Sequence, residues 1–585
     1  LIAGHVRLDE RDDLVRELGE APSDLSLVAR AYARWGDACA ERLVGDFAFA
    51  IRDARRRRVF AARDALGVRP LCYRVSAEGI ALAPTPSSLG PLEIREEAVA
   101  EALVPALEGG SGLTATPYRD VLRLAPGHTL VFENGRATQR RYWTPDPLRE
   151  IDGPSDAEHE EAFRGLFSGA VRRRLHGAAS MLSGGLDSSA IVGFARRLGP
   201  ITTLSAVTGD PGCEESAAVR SVLALGGVTP VLLTPGGLWA YRDEIERFLR
   251  ELDDPADASM VIPLLVYVEA RRRGFTAVLD GVDGDCVASL EPDYVGALLR
   301  GGSWGAGVRE AIGTAAFYRG TFAPWSSASR VLLSQAFRAW APDPLRNRHR
   351  RGARTREVRR VLSDSLVALD AAVRNRLAER LEELFEHRAA APSSIRGRHA
   401  AELIHPHLAA ALERYQRVAA SQGLEARHPF LDRRLVEHCL ALPWDQKVRR
   451  GVTKSIVRRA CRGVVPDEVR WRRGRWVRLG PRFLAAAIGA LRPLLEEELA
   501  NGLGDASPFL DRRKLGRAVE ELRAGASADG AEKVWHAVAL NSWLRKTRTK
   551  RYDPVARTNG PAAPDALFAT EGASFYLQGE LHHGV

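Results

Sequence analysis

Residues 180–193 read SMLSGGLDSSAIVG: a short apolar run, a Ser-Gly-Gly turn, then an apolar pattern of helical period. A strand ending in Ser183-Gly184-Gly185 and opening a helix near Asp187 presents several backbone N–H groups to an anion. The helix N-terminus adds its partial positive charge. The hydroxyls of Ser183, Ser188 and Ser189 stand at the same spot. The common phosphate-cradling signature ends in Gly-Lys-Ser or Gly-Lys-Thr, and no Lys follows here. Asp187 is able to cap the helix. An acid inside a phosphate loop is nevertheless costly unless a cation separates the two charges, so magnesium is implied.

Downstream of that loop, ITTLSAVTG (201–209), TPVLLTP (229–235) and FTAVLDG (275–281) read as short apolar strands between helical stretches. Strand–helix alternation predicts a doubly wound parallel sheet. From residue 360 onward helices dominate. Upstream the pattern differs. FAFAIRD (47–53) and RVFAARD (58–64) are β-favouring runs about a charged turn, and PGH (126–128) and ENG (133–135) read as hairpin turns. The chain is therefore expected to be α/β with a β-rich first domain at 1–145, a linker at 146–158, the parallel-sheet domain at 159–548 and a flexible tail at 549–585.

The 585 residues predict more than one domain. No apolar run is long enough to span a bilayer, and the first residues lack the regions of a signal peptide. Six scattered cysteines without a CxxC pair exclude a zinc ribbon, a dithiol redox motif and a secreted disulfide framework. A cytoplasmic protein without membrane or nucleic-acid partners is the expectation. The formal charge of +10 is mostly arginine, and RNRHRRGARTREVRR (346–360) reads as a solvated loop and helix face.

A second acidic loop, VLDGVDGDC (278–286), follows a predicted strand and carries Asp280, Asp283 and Asp285. Asp187 and Asp285 are placed to clamp magnesium across strand ends, where doubly wound sheets bind ligands. SGGLDSS resembles the pyrophosphate loop of the N-type ATP pyrophosphatases, which split ATP into AMP and pyrophosphate. That motif alone leaves GMP synthetases, NAD synthetases, tRNA-modifying enzymes and asparagine synthetases open. EARHPFLDRRLVEHCLALP (425–443), QKVRRGVTKSIVRRA (446–460) and FAARDALGVRPLCYR (60–74) resemble, in order, blocks of the asparagine synthetase superfamily.

The resemblance implies an Ntn-type, glutaminase-like first domain and a second domain that adenylates a carboxylate with Mg²⁺–ATP and passes the acyl group to an amine. It implies that Ser183, Gly184, Gly185, Ser188 and Ser189 hold pyrophosphate, with Asp280 and Gly281 beside the nucleotide. Lys454 becomes the cation at the reacting centre, Val207 an adenine contact, and Arg427 a residue that orders the site or meets phosphate. An Arg427 pair with Glu425 or Asp432 is the alternative.

Two departures bear on the amine. Where the family carries an acid or Tyr for amine handling, this chain has Val282, and the family's last Glu is Cys286; Asp283 is the candidate base. Where glutamine-using relatives carry Asn-Gly-Glu, this chain reads Ala3-Gly4-His5. Glutamine hydrolysis is therefore expected to be absent and the amine to come from the substrate. The loop DG-x-DGD and RRGRWVRLGPRF (472–483) resemble lasso-peptide macrolactam synthetases. That implies a precursor peptide as substrate, with a leader-binding protein and a leader protease as partners. The alternative is an asparagine synthetase or another small-molecule amide or lactam synthetase.

Overall fold

The computed structural model describes residues 1–108, 112–290, 293–317, 332–334, 336–337, 340–389, 392, 394–473, 479–524, 528–549 and 575–578. Its first domain holds two antiparallel sheets. One has the order β1 (Ile2–Leu8), β2 (Gly45–Asp53), β3 (Arg58–Arg63), β7 (His128–Glu133), β8 (Arg136–Arg141). The other contains β4 (Cys72–Ser76), β5 (Gly79–Ala83) and β6 (Leu122–Arg123), with Phe575–Gln578 pairing antiparallel to β5. Alternation along β2 explains the layering. Phe47, Phe49 and Ile51 face a core shared with helix Asp24–Trp35, while Ala48 faces the core between the sheets.

The ENG turn joins β7 to β8 as a hairpin, whereas PGH does not. It connects β6 in one sheet to β7 in the other, so that expectation is corrected. Helices Arg11–Leu18 and Asp24–Trp35 also lie inside the stretch read as β-rich.

The second domain is built on a parallel sheet of order β11 (Val228–Leu233), β10 (Ile201–Ala206), β9 (Ala178–Met181), β12 (Ala277–Leu279), β13 (Glu425–Arg427). Both faces are covered. Ala178, Ala277 and Leu279 pack on one side with Phe163, Phe167 and Ile191. Ala179, Val278 and Ala426 pack on the other with Leu264 and Tyr267. Burial on both faces is why β9 and β12 read as apolar runs. Pro230, which cannot donate to a ladder, sits on β11 at the sheet's edge.

Helix Asp156–Arg174 leads into this sheet through a capping box, Ser155 Oγ accepting from Glu158 N and Ser155 N donating to Glu158 Oε2. The basic stretch 346–360 lies within helix Asp343–Asp364. Among the described residues no helix is long and apolar enough to cross a membrane. The domains meet through ion pairs of buried Glu413, which accepts from Arg63 at 3.0 Å and Arg123 at 2.8 Å, and through a hydrogen bond in which Trp143 Nε1 donates to Glu437 at 2.8 Å.

Candidate active site

The strand order reverses between β9 and β12, and the two loops singled out in the sequence leave the sheet at that point. After β9 the chain turns at Gly184, whose φ of +76° lies in the left-handed region. A Cβ there would stand 2.5 Å from the Glu215 carbonyl oxygen, so the turn requires glycine. Helix Leu186–Leu198 follows. The loop is held by its own serines: Ser183 N donates to Ser188 Oγ at 3.1 Å, Ser183 Oγ meets Ser188 Oγ at 3.0 Å, and Gly185 N reaches Ser183 Oγ at 3.4 Å. Ser189 is fully buried and its hydroxyl has no hydrogen-bond partner among the described residues. Val207 is buried just past β10, its N–H donating to Leu233 O at 2.8 Å.

After β12 the second loop runs against the start of that helix. A Cβ on Gly281 would lie 2.7 Å from Ser188 N, and one on Gly284 would lie 2.6 Å from Asp187 Cγ. The two acidic loops are thus in contact, glycine against aspartate. Lys454 completes the constellation from far along the chain. Its buried ammonium pairs with Asp187 and lies 2.9 Å from Asp285 Oδ1. Burial opposes the charge on Lys454, but the carboxylates outweigh it and raise its pKa. Burial likewise raises Asp187, with Lys454 pulling back. Asp283 and Lys454 both adopt left-handed backbone, φ 59° and 55°. Such conformations cost on the order of 1–3 kcal/mol each and gather at functional sites.

These residues fit magnesium and a polyphosphate. Asp187 Oδ1 is buried and has no hydrogen-bond partner among the described residues. Among the described residues no cluster of three or more metal-ligating side chains occurs.

Asp283 is half-buried, and the desolvation of its carboxyl pushes it up to about 7, with Asp280 and Asp285 adding. Val282 packs against the apolar core and Cys286 Sγ lies 3.9 Å from Asp283 Oδ1.

Arg427 is not brought to this constellation. Its guanidinium donates to Glu425 Oε2 at 2.9 and 2.7 Å and to the carbonyls of Arg174 and His176 at 2.9 and 2.7 Å. The pairing alternative is the one observed, because strand alternation turns residues 425 and 427 toward the first domain. There Arg7 pairs with Asp9 and Asp46, Arg69 with Glu425, and Arg174 with Asp9, Asp46 and Asp432. His5 sits beside these cations, and the Arg69 charge above all holds its ring down to about 3, with Arg427 and Arg7 adding and Asp46 opposing.

Three residues absent from the sequence-based set support the second loop. His428 Nδ1 lies 2.7 Å from Asp280 Oδ1. His399 Nε2 lies 2.8 Å from Cys286 O, and fully buried Lys447 reaches His399 Nδ1 at 3.0 Å. His428 stands inside the quoted EARHPFLD block and Lys447 inside QKVRRGVTK, so both lay next to residues that were read.

Residues 11–143 match the glutamine amidotransferase domain family, and residues 162–545 match asparagine synthase. Asparagine synthetase [glutamine-hydrolyzing] 3 of Bacillus subtilis is 24% identical over 79% of this chain and 72% of its own length. A putative asparagine synthetase [glutamine-hydrolyzing] of Mycobacterium bovis is 25% identical over 92% of this chain and 82% of its own. Amidase chyE of Penicillium rubens is 32% identical over 32% of this chain and 29% of its own. A serine–glycine loop at the switch point, an aspartate on each facing loop and a buried lysine between them thus sit inside a matched stretch that covers most of the second domain, and the chain belongs to the asparagine synthetase family of ATP-dependent amide ligases.

Proposed function

We infer that this chain is an AMP- and pyrophosphate-forming amide synthetase whose amine is carried by the substrate. The substrate is a precursor peptide: a side-chain carboxylate is adenylated and then captured by the peptide's own N-terminal amine, closing a macrolactam. The observation that carries this reading lies in the first domain. At the positions where glutamine-using relatives hold the amide substrate, Ala3 supplies no polar group. His5 is surrounded by Arg7, Arg69 and Arg427, each already paired with a carboxylate. In this reading a leader-binding protein and a leader protease act alongside the enzyme.

The chemistry follows from the residues. A substrate carboxylate oxygen attacks the α-phosphorus of ATP, and the bond to the β-phosphate breaks. The Ser-Gly-Gly turn and the N-terminus of helix Leu186–Leu198 receive the departing pyrophosphate. Lys454 neutralises charge gathering at the reacting phosphorus and later at the acyl oxygen. Asp187 and Asp285 would hold magnesium, which when bound neutralises the polyphosphate. The amine nitrogen then attacks the acyl carbon, the bond to AMP breaks, and Asp283 takes the amine proton.

A second reading, asparagine formation from aspartate with ammonia or glutamine, is favoured by one observation: relatives matched over most of this chain carry that name. One experiment separates the two. Pyrophosphate release is followed with ATP and magnesium, once with aspartate plus ammonium or glutamine and once with candidate precursor peptides. Turnover restricted to a peptide, with loss of one water from its mass, supports macrolactam closure. Rapid asparagine formation overturns it.

A further inference from the structure

In the EARHPFLD block the side chain that touches the second acidic loop is that of the histidine, not the arginine. β13 pairs in parallel with β12 so that Arg427 stands opposite Leu279. One step further, residues 428 and 280 meet. Alternation sends Arg427 to the first domain and His428 the other way. Asp280 N donates to Arg427 O at 3.1 Å, and the side chains of Asp280 and His428 then close on each other at 2.7 Å. Both are almost completely buried, at 2% and 1% exposure. A carboxylate only accepts, so the ring carries its proton on Nδ1 and donates it to Asp280.

Asp280 Oδ1 has a second donor, the N–H of Val282 at 3.1 Å. The same oxygen therefore ties His428 to the turn that places Gly281 against Ser188 N and Gly284 against Asp187. Among the described residues His428 Nε2 has no hydrogen-bond partner, and neither do Asp280 Oδ2 and Tyr267 OH, while the Tyr415 ring meets His428 edge-on at 6.0 Å. Among the described residues the ring's hydrogen bond is the one through Nδ1.

We propose that His428 is a positioning residue for the nucleotide site: through its Nδ1–H bond to Asp280 it sets the turn at Gly281–Asp285 against the helix that carries Asp187. The block thus serves adenylation through residue 428, while residue 427 serves the domain interface. This inference rests on the family's ATP chemistry and is independent of where the amine comes from.

The test is binding of magnesium with α,β-methylene-ATP, which cannot be cleaved to AMP and pyrophosphate, to the full chain. A second readout is hydrogen exchange at the amides of residues 281–287 in the nucleotide-free protein. His428→Ala is expected to weaken binding about 10- to 100-fold and to speed exchange in that loop. His428→Asn, whose amide nitrogen takes the place of Nδ1, should restore both to within about threefold of the original, by analogy with supporting contacts that orient metal ligands. His428→Gln, which replaces Nε2 instead, should behave like His428→Ala. Binding by His428→Ala equal to the original protein overturns the proposal. So does rescue by Gln in place of Asn. If the alanine variant fails to fold, the Asn–Gln comparison decides alone.

Discussion

Nζ of Lys454 lies 2.9 Å from Oδ1 of Asp285. The same ammonium pairs with Asp187, so one buried cation joins two loops that leave neighbouring strands. Removing it takes away charge stabilisation in both chemical steps and leaves two carboxylates facing each other. Lys454→Ala is expected to lower the rate of pyrophosphate release about 100- to 1,000-fold, the scale seen when one preorganised group is deleted. Lys454→Arg should not recover it, because a planar fork does not fit where a compact ammonium sits between two acids. Pyrophosphate release at the original rate in either variant would remove Lys454 from the reacting centre.

Asp283 offers a pH signature. Its carboxyl titrates at about 7 because burial disfavours the charge. Between the ordinary carboxylate value and about 7 the folded chain holds the extra proton, so this group's contribution to stability falls as pH rises through that window. Base function runs the other way: the form that accepts the amine proton grows as pH passes about 7. Amide formation should therefore rise across neutral pH, and Asp283→Asn should flatten that rise while slowing the step. Asparagine tolerates the left-handed backbone held at φ 59°, so the variant is expected to fold. An unchanged pH profile would take the role of base from Asp283.

What the sequence made legible, and what it hid, follows from the range of each interaction. The Ser-Gly-Gly loop is local backbone geometry, and residues 180–193 carry all of it. Continuous apolar runs in β9 and β12 announced a sheet covered on both faces. Lys454 was visible only through resemblance, because it meets Asp187 across 267 positions of chain and no local period encodes that. β13 has three residues, too few for alternation to show which way Arg427 and His428 point. Helix Asp24–Trp35 had a readable signal in the spacing of Leu27, Val28 and Ala31, but the β-rich neighbours masked it. PGH looked like a hairpin turn because turn chemistry does not say which sheet the next strand joins.

Gly284 tests the contact between the loops. An added Cβ would lie 2.6 Å from Asp187 Cγ and 2.9 Å from both its oxygens. The Asp187 side chain would have to move, and with it the pairing to Lys454. Gly284→Ala is expected to destabilise the protein by about 1–3 kcal/mol, as overpacking does. It should also raise the magnesium concentration needed for half-maximal pyrophosphate release. A loss of stability with an unchanged magnesium requirement would mean that Asp187 does not hold the ion.

Lys447 lies behind the second loop with no exposed surface, donating to Leu440 O at 3.0 Å and meeting His399 Nδ1 at 3.0 Å. Burial pulls its ammonium down to about 7. For a base whose folded value is lowered, the unfolded chain binds more protons between about 7 and the ordinary lysine value of 10.5, so stability rises with pH across that interval. Lys447→Met keeps the apolar stem and removes the titrating group. The difference in unfolding free energy between the two proteins should therefore change by about 1.4 kcal/mol per pH unit above neutrality, the slope of one proton. Urea unfolding of both proteins at several pH values measures it, with other titrating groups cancelling in the difference. Equal slopes would place a charged ammonium at Lys447 throughout. His399 Nε2 would then still donate to Cys286 O, but the loop would be backed by a buried cation instead of a neutral amine.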